Sequence, residues 1–83
     1  MKKVALITGV AGGIGFATAE KFLQEGYRVA GMDVAPAMPK ALEGDFIYVQ
    51  GDLSKAESRE NYLQQALKAF GRVDVLDQNL LYL

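Results

Sequence analysis

Thr8-Gly9-Val10-Ala11-Gly12-Gly13-Ile14-Gly15 lies between the apolar run Val4-Ala5-Leu6-Ile7 and a helix-like run that begins near Ile14. A short run that is apolar throughout reads as a strand covered on both faces, so the octapeptide marks a buried strand turning sharply into a helix. Four of its eight residues are glycine. Glycine adopts positive φ readily and lets another group approach the backbone without meeting a Cβ. The first amides of a helix lack intrahelical partners and sit at the positive end of the macrodipole, which suits this turn to hold an anion, phosphate above all. The spacing is G-x-x-x-G-x-G at Gly9, Gly13 and Gly15, not the G-x-G-x-x-G of the general dinucleotide fingerprint. A plain tight turn packed against a neighbouring helix is the competing reading. Context favours the phosphate turn, because Asp33 ends the next strand-like run eighteen positions after Gly15, close to the roughly 20 that the fingerprint asks for.

The chain of 83 residues has room for one small domain, which buries only about 60 to 65% of its unfolded surface. With 51% hydrophobic residues and a net charge of −1, the composition is that of a soluble globular protein, and no basic stripe invites nucleic acid. No apolar run approaches the roughly 18 residues of a membrane span. Met1-Lys2-Lys3 leads straight into the first strand and not into a signal-peptide core, so the expected address is the cytoplasm. Cysteine and histidine are absent. That removes a disulfide framework, a thiol nucleophile, an imidazole base and the usual zinc ligands, and no metal site is predicted.

Val4 to Thr8 is expected to be the central strand. Ile14, Ala17, Thr18 and Phe22 recur at helical spacing up to Glu25, with Gly26 as the residue beyond the helix end. Arg28 to Asp33 reads as a second strand, completing a right-handed parallel unit whose crevice lies at the strands' carboxyl ends. Val34 to Asp45, with Pro36, Pro39 and Gly44, reads as an irregular crossover with one helical turn starting at Pro39. Phe46 to Gln50 is β-branched and aromatic, a third strand ended by Gly51-Asp52-Leu53. Ser54 and Glu57 fit a capping box, which starts the second helix at Lys55. Leu63, Ala66, Leu67 and Phe70 form its packing face, Arg59, Glu60, Gln64 and Lys68 its wet face, and Gly71 its end. Val73 to Leu76 is a fourth strand, and 77–83 has neither signature.

Asp33 is placed to accept hydrogen bonds from the ribose hydroxyls of an adenosine lying over the first βα turn, and its charge repels a 2′-phosphate. Gly12 precedes Gly13, and Val34 to Met38 carry no cation to receive that phosphate. NAD is therefore favoured over NADP. Asp52 ends the third strand at the same edge, near an adenine amino group, with a turn residue before a helix as the alternative. No tyrosine has a lysine four positions later, so all four read as core or interface aromatics, with Tyr48 packed in its strand.

With these residues placed, Thr8-Gly9-x-x-x-Gly13-Ile14-Gly15, Asp33, Asp52-Leu53 and Val73 to Leu76 closely resemble the amino-terminal half of a short-chain dehydrogenase/reductase, over residues 1 to about 76. The resemblance implies a truncated Rossmann-like α/β fold, half of a doubly wound parallel sheet. Its four strands would run in the order 3-2-1-4 with helices on both faces. It implies that Gly9, Gly13, Ile14 and Gly15 lie around a pyrophosphate, that Asp33 binds the adenosine ribose, that Asp52 and Leu53 contact adenine, and that the cofactor is NAD(H). Residues 1–76 would be a partial dinucleotide-binding domain and 77–83 an atypical apolar tail. Where the family continues V-N-N-A-G, this chain has Asp77-Gln78-Asn79-Leu80-Leu81, and the family's catalytic serine and Y-x-x-x-K pair lie beyond its end. The expectation is an NAD(H)-binding half-domain with no catalytic residue of its own. The alternatives are an NAD-dependent oxidoreductase, as one part of it or completed in trans, and a scaffold whose glycine turn binds nothing. An edge strand with unpaired backbone groups invites pairing, so homo-oligomerisation through the fourth strand, the second helix or the tail is predicted.

Overall fold

The computed structural model describes residues 2–77. In chain order the elements are Val4–Thr8 (β1), Gly13–Gln24 (α1), Arg28–Asp33 (β2), Phe46–Gln50 (β3), Ala56–Phe70 (α2) and Val75–Asp77 (β4). β1 pairs in parallel with β2 and with β4, and β3 pairs in parallel with β2, so the strands are hydrogen-bonded in the order β3-β2-β1-β4. Every residue of β1 is buried. Alternation of side chains then divides the core into two layers. Ala5, Ile7 and Val29 pack with Val10 and Ala19 on the α1 side, while Leu6, Ala30, Met32 and Val49 meet Tyr62 and Ala66 of α2 on the other. Fully burying one such Val, Leu, Ile or Met contributes about 1.5–3 kcal/mol, so the sheet is stabilised chiefly by what covers its two faces.

The helices turn inward part of the faces that periodicity predicted, Phe22 in α1 and Ala66 and Phe70 in α2, and displace the rest. In α1 the buried residues are Gly15 and Ala19, with Phe22 and Leu23 packed beside them, and Ile14 is 77% exposed. Ala19, buried among Ala5, Ile7, Val10 and Val29, is small enough to let the helix backbone approach the sheet, while Ile14 stays exposed. In α2 the inward line is Tyr62, Ala66 and Phe70, and Leu63 and Leu67 are 42% and 39% exposed. Tyr62 can enter the core because its hydroxyl donates to the carbonyl oxygens of Ile7, at 3.3 Å, and Ala30. A satisfied phenol buries a large ring at little polar cost, and burial raises its pKa above the usual tyrosine value.

Three local expectations are corrected. The capping box does not form: α2 starts at Ala56 behind Lys55, which makes no side-chain cap. Asp52 has claimed Ser54 instead, its Oδ1 accepting from Ser54 N at 2.9 Å and Ser54 Oγ at 2.7 Å. A charged acceptor two residues away outcompetes a helix amide for the serine hydroxyl. No helical turn starts at Pro39, and the whole crossover between β2 and β3 is bends and irregular chain. Finally, β4 begins at Val75 and takes in Asp77, which the sequence assigned to the tail; the rest of that tail, 78–83, lies outside the described residues. Among the described residues no helix is long and apolar enough to cross a membrane.

Asp74, just before β4, ties the chain back to the start of β1. Its Oδ2 accepts the Val4 amide at 2.8 Å, its own amide donates to the Val4 carbonyl at 2.8 Å, and Arg72 forks onto both carboxylate oxygens at 2.9 and 2.6 Å. The Arg72 hydrogen bond first, and the Val4 amide second, hold the Asp74 carboxyl below the usual carboxylate range. A carboxyl whose folded pKa is depressed adds stability above its unfolded pKa of about 3.9, and that stability is lost as pH falls through the folded value. Acid titration of folding by circular dichroism should therefore show Asp74→Asn less stable than the parent at pH 7, with the difference shrinking below about pH 4. A difference that stayed constant to pH 2 would remove the carboxylate from the account.

Candidate functional site

The turn after β1 opens with Gly9 at φ 66°, the left-handed region that favours glycine. Val10 then folds back onto β2, its amide donating to the Met32 carbonyl at 3.3 Å. A Cβ on Gly31 would lie 2.7 Å from Val10 Cγ1 and 2.9 Å from the Phe46 ring, so glycine at position 31 is what lets the turn sit down on the sheet. The next amide, Ala11, donates to Asp33 Oδ2 at 2.9 Å, and Gly12 donates to the Gly9 carbonyl at 3.1 Å. Gly12 is the N-cap of α1 and brings no side chain to the helix start. The amides of Gly13, Ile14 and Gly15 have no hydrogen-bond partner among the described residues; the helix ladder begins with Phe16 donating to Gly12 at 2.8 Å. Partial positive charge is concentrated at these three groups. Gly13 is exposed, and a Cβ built on it meets nothing within 4 Å.

Beside this helix start lies a crevice of about 230 Å³ at the carboxyl ends of β1, β2 and β3, lined by Gly9, Met32, Asp33, Asp52 and Leu53 among others. It is smaller than the roughly 300–1,000 Å³ of a pocket that encloses a whole drug-sized ligand. It would enclose one end of a longer molecule. Four predicted site residues, Gly9, Asp33, Asp52 and Leu53, thus share one cavity, and Gly13, Ile14 and Gly15 stand at the adjoining helix end rather than in its lining. Asp33 does more than face the crevice: besides Ala11, its carboxylate accepts the amides of Val34 at 2.7 Å and Ala35 at 3.4 Å. Of the roughly four acceptor positions of a carboxylate, three are taken, which leaves one on Oδ2 for a ligand hydroxyl. The Asp52 carboxyl is held below its ordinary pKa by the Ser54 hydroxyl first, then by the Ser54 amide.

Sequence reading did not assign Val34 or Ser54 to the site, yet both line the crevice, Val34 as a lip that is 63% exposed. The signal for Ser54 was present in the Asp52-Leu53-Ser54 spacing, which suits an Asx turn as well as a helix start. Arg59, assigned to the wet face, reaches back to the Leu53 carbonyl at 2.8 Å and pins that wall. Among the described residues no group of three or more acidic side chains is arranged to hold a metal ion.

A glycine turn, unpaired helix amides and an acidic residue at the end of the second strand meet at the strands' carboxyl ends, which is where open parallel α/β sheets take their ligands. The short chain dehydrogenase family model matches residues 3–80, and the chain belongs to that family. It is 43% identical over 76 residues to the short chain dehydrogenase andC of Emericella variicolor, covering 89% of this chain and 30% of that protein. It is 33% identical over 86 aligned positions to a diacetyl reductase [(S)-acetoin forming] of Staphylococcus epidermidis, covering 95% of this chain and 34% of that one. Among solved structures, a short chain dehydrogenase/reductase from Burkholderia phymatum in complex with NAD matches with a TM-score of 0.83 at 33% identity, over 90% of this chain and 29% of that one. A 3-ketoacyl-(acyl-carrier-protein) reductase from Brucella melitensis complexed with NADH matches with a TM-score of 0.82 at 36% identity, over 89% and 32%. The chain thus spans about a third of the length of these relatives.

Because the space in front of Gly13 is open, its glycine is not needed for folding. In urea unfolding, Gly13→Ala should leave the unfolding free energy unchanged or raise it by up to about 1 kcal/mol through helix propensity. A loss of more than about 1 kcal/mol would mean that the added methyl does meet the protein.

Proposed function

We propose that this chain binds the dinucleotide NAD(H) and forms the amino-terminal part of a doubly wound sheet. The carrying observation is the set of three unpartnered amides at Gly13, Ile14 and Gly15 beside a crevice that contains Asp33. In this reading the amides take the pyrophosphate, the remaining acceptor of Asp33 takes a ribose hydroxyl, and Asp52 with Leu53 flanks the adenine. Gly9 leaves room for the approach. The NAD and NADH complexes among the structural relatives support the same assignment. When bound, the nicotinamide would supply hydride chemistry, and the residues here would orient the cofactor's adenosine half. Tyr62 donates to backbone carbonyls within the core, and neither it nor Tyr48 is followed by a lysine four positions on. The 83-residue chain by itself is therefore proposed to bind cofactor and to reduce nothing. Titration with NADH, followed by fluorescence, should saturate for the parent chain and weaken at least about tenfold for Gly13→Val with its melting temperature kept, one missing backbone approach being worth about 1.4 kcal/mol or more. No binding at millimolar NADH overturns the reading, and carbonyl reduction by the purified chain alone overturns its non-catalytic half.

The exposed pair Leu63 and Leu67 supports a second element of the reading, self-association. They stand one helical turn apart on α2 and form an apolar stripe that no described element covers. A second copy of this chain is proposed to cover it. Sedimentation at tens of micromolar should give a mass above the 9.0 kDa of the monomer, and Leu63→Ser with Leu67→Ser should return it to the monomer. A monomeric parent chain overturns this element alone.

A further inference from the structure

Asp33 is held from behind as well as from the turn. Two side chains of β3 reach across to the last residue of β2 and the first two of the crossover. The Tyr48 hydroxyl shares its proton between the carbonyl oxygens of Asp33, at 3.2 Å, and Ala35. Gln50 Nε2 donates to the carbonyl oxygen of Val34 at 3.2 Å, and the Gly51 amide donates to that of Asp33 at 2.9 Å. The carbonyls of residues 33, 34 and 35 are thus all bound from β3 and its end, while the Asp33 carboxylate binds the amides of 34 and 35. Val34 is 63% exposed, so packing contributes little to this fixing. We infer that Tyr48 and Gln50 are positioning residues that set the preference for NAD(H) over NADP(H), by clamping Val34 and Ala35 so that the Asp33 carboxylate stays aimed at the crevice.

A carboxylate discriminates against a 2′-phosphate only while it cannot turn away, because two like charges at contact distance cost several-fold in affinity only if neither retreats. Asp33 carries the crossover's first backbone bonds on its own oxygens, so motion of Val34 or Ala35 moves the carboxylate with them. Tyr48 is partly buried, and its pKa is raised, by burial first and by the Asp33 charge second; its hydroxyl is a donor throughout the neutral range. The cation of the crossover, Lys40, sits over the Phe16 ring at 5.1 Å, which supplies a partner for its charge on the α1 side.

The inference rests on the dinucleotide reading, and the experiment separates the two. NADH and NADPH are each titrated into the 83-residue chain and into Tyr48→Phe, Gln50→Ala, Asp33→Asn and the Tyr48→Phe/Asp33→Asn pair, with melting temperatures measured alongside. Tyr48→Phe keeps the ring and its packing. Its NADH dissociation constant should rise about three- to tenfold, the effect of one net hydrogen bond, with NADPH changed less than about twofold, so that the selectivity ratio falls; Gln50→Ala should act in the same direction. In the Asp33→Asn background Tyr48→Phe should leave the ratio where it is, since the charge being aimed is gone. A loss of overall stability would weaken both cofactors equally and leave the ratio untouched. An unchanged ratio in Tyr48→Phe, or the same fall in the presence and absence of the Asp33 charge, overturns the inference while the dinucleotide reading stands. No NADH binding by the parent chain overturns both. Amide exchange gives a readout that needs no cofactor: the Val34 and Ala35 amides should exchange faster in Tyr48→Phe, and unchanged exchange overturns the inference whatever binds.

Discussion

A five-residue strand buried on both faces is the constraint from which the rest of this molecule follows. β1 has no exposed residue, and a buried backbone must have every N–H and C=O paired. Its two edges are therefore taken by β2 and β4, and its two faces by α1 and α2. The chain can leave such a strand only at its end, and it must rise over the sheet at once to form the covering helix. Parallel pairing forces that helix to start at the same end of the sheet where β2 and β3 also finish. The open amides of α1, the carboxylate at the end of β2 and the turn after β3 are consequently neighbours by topology.

Within that frame the glycines have separable tasks. Gly31 serves packing, because its missing Cβ makes space for Val10. Gly9 serves the turn through its positive φ. Gly13 serves neither, since a side chain there would project into open space. A residue that folding leaves free to vary, at a helix start with no side-chain cap, is where an external group has room to approach the backbone.

The strands were legible in the sequence because their signals are local. Val4 to Thr8 and Phe46 to Gln50 announce themselves by continuous apolar or β-branched content, and their bounds agree with the structure. The helix faces were legible only in part, at Phe22, Ala66 and Phe70, because periodicity ranks side chains by hydrophobicity while packing against a sheet also asks for smallness and for a satisfied polar tip. Ala19 wins the inner face of α1 by size, and Tyr62 displaces Leu63 by finding two carbonyls. Among the candidate site residues, Gly9, Asp33, Asp52 and Leu53 come together as a pocket, which their positions at strand ends made foreseeable. What no local pattern conveys is that Asp33 is bonded to Ala11, across 22 positions of the chain. Such a link depends on register between β1 and β2, which sequence alone leaves open.

The site's electrostatics divide along the same lines. Asp33 and Asp52 both line the crevice, so its interior repels an anion, while the positive end of α1 stands at its rim. A phosphate alone would meet the amides and gain nothing from the crevice; a neutral nucleoside would fill the crevice and leave the amides bare. Only a molecule that joins hydrogen-bond-donating hydroxyls or an amino group to a nearby anion uses both regions at once. The requirement comes from the placement of charge, independently of any likeness to other proteins. Because Asp33 also holds the amide of Ala11, the two regions are not free to drift apart. The carboxylate at the end of β2 is bonded to the turn before α1 at 2.9 Å, which adds to the Val10–Met32 backbone bond in holding the two regions in register.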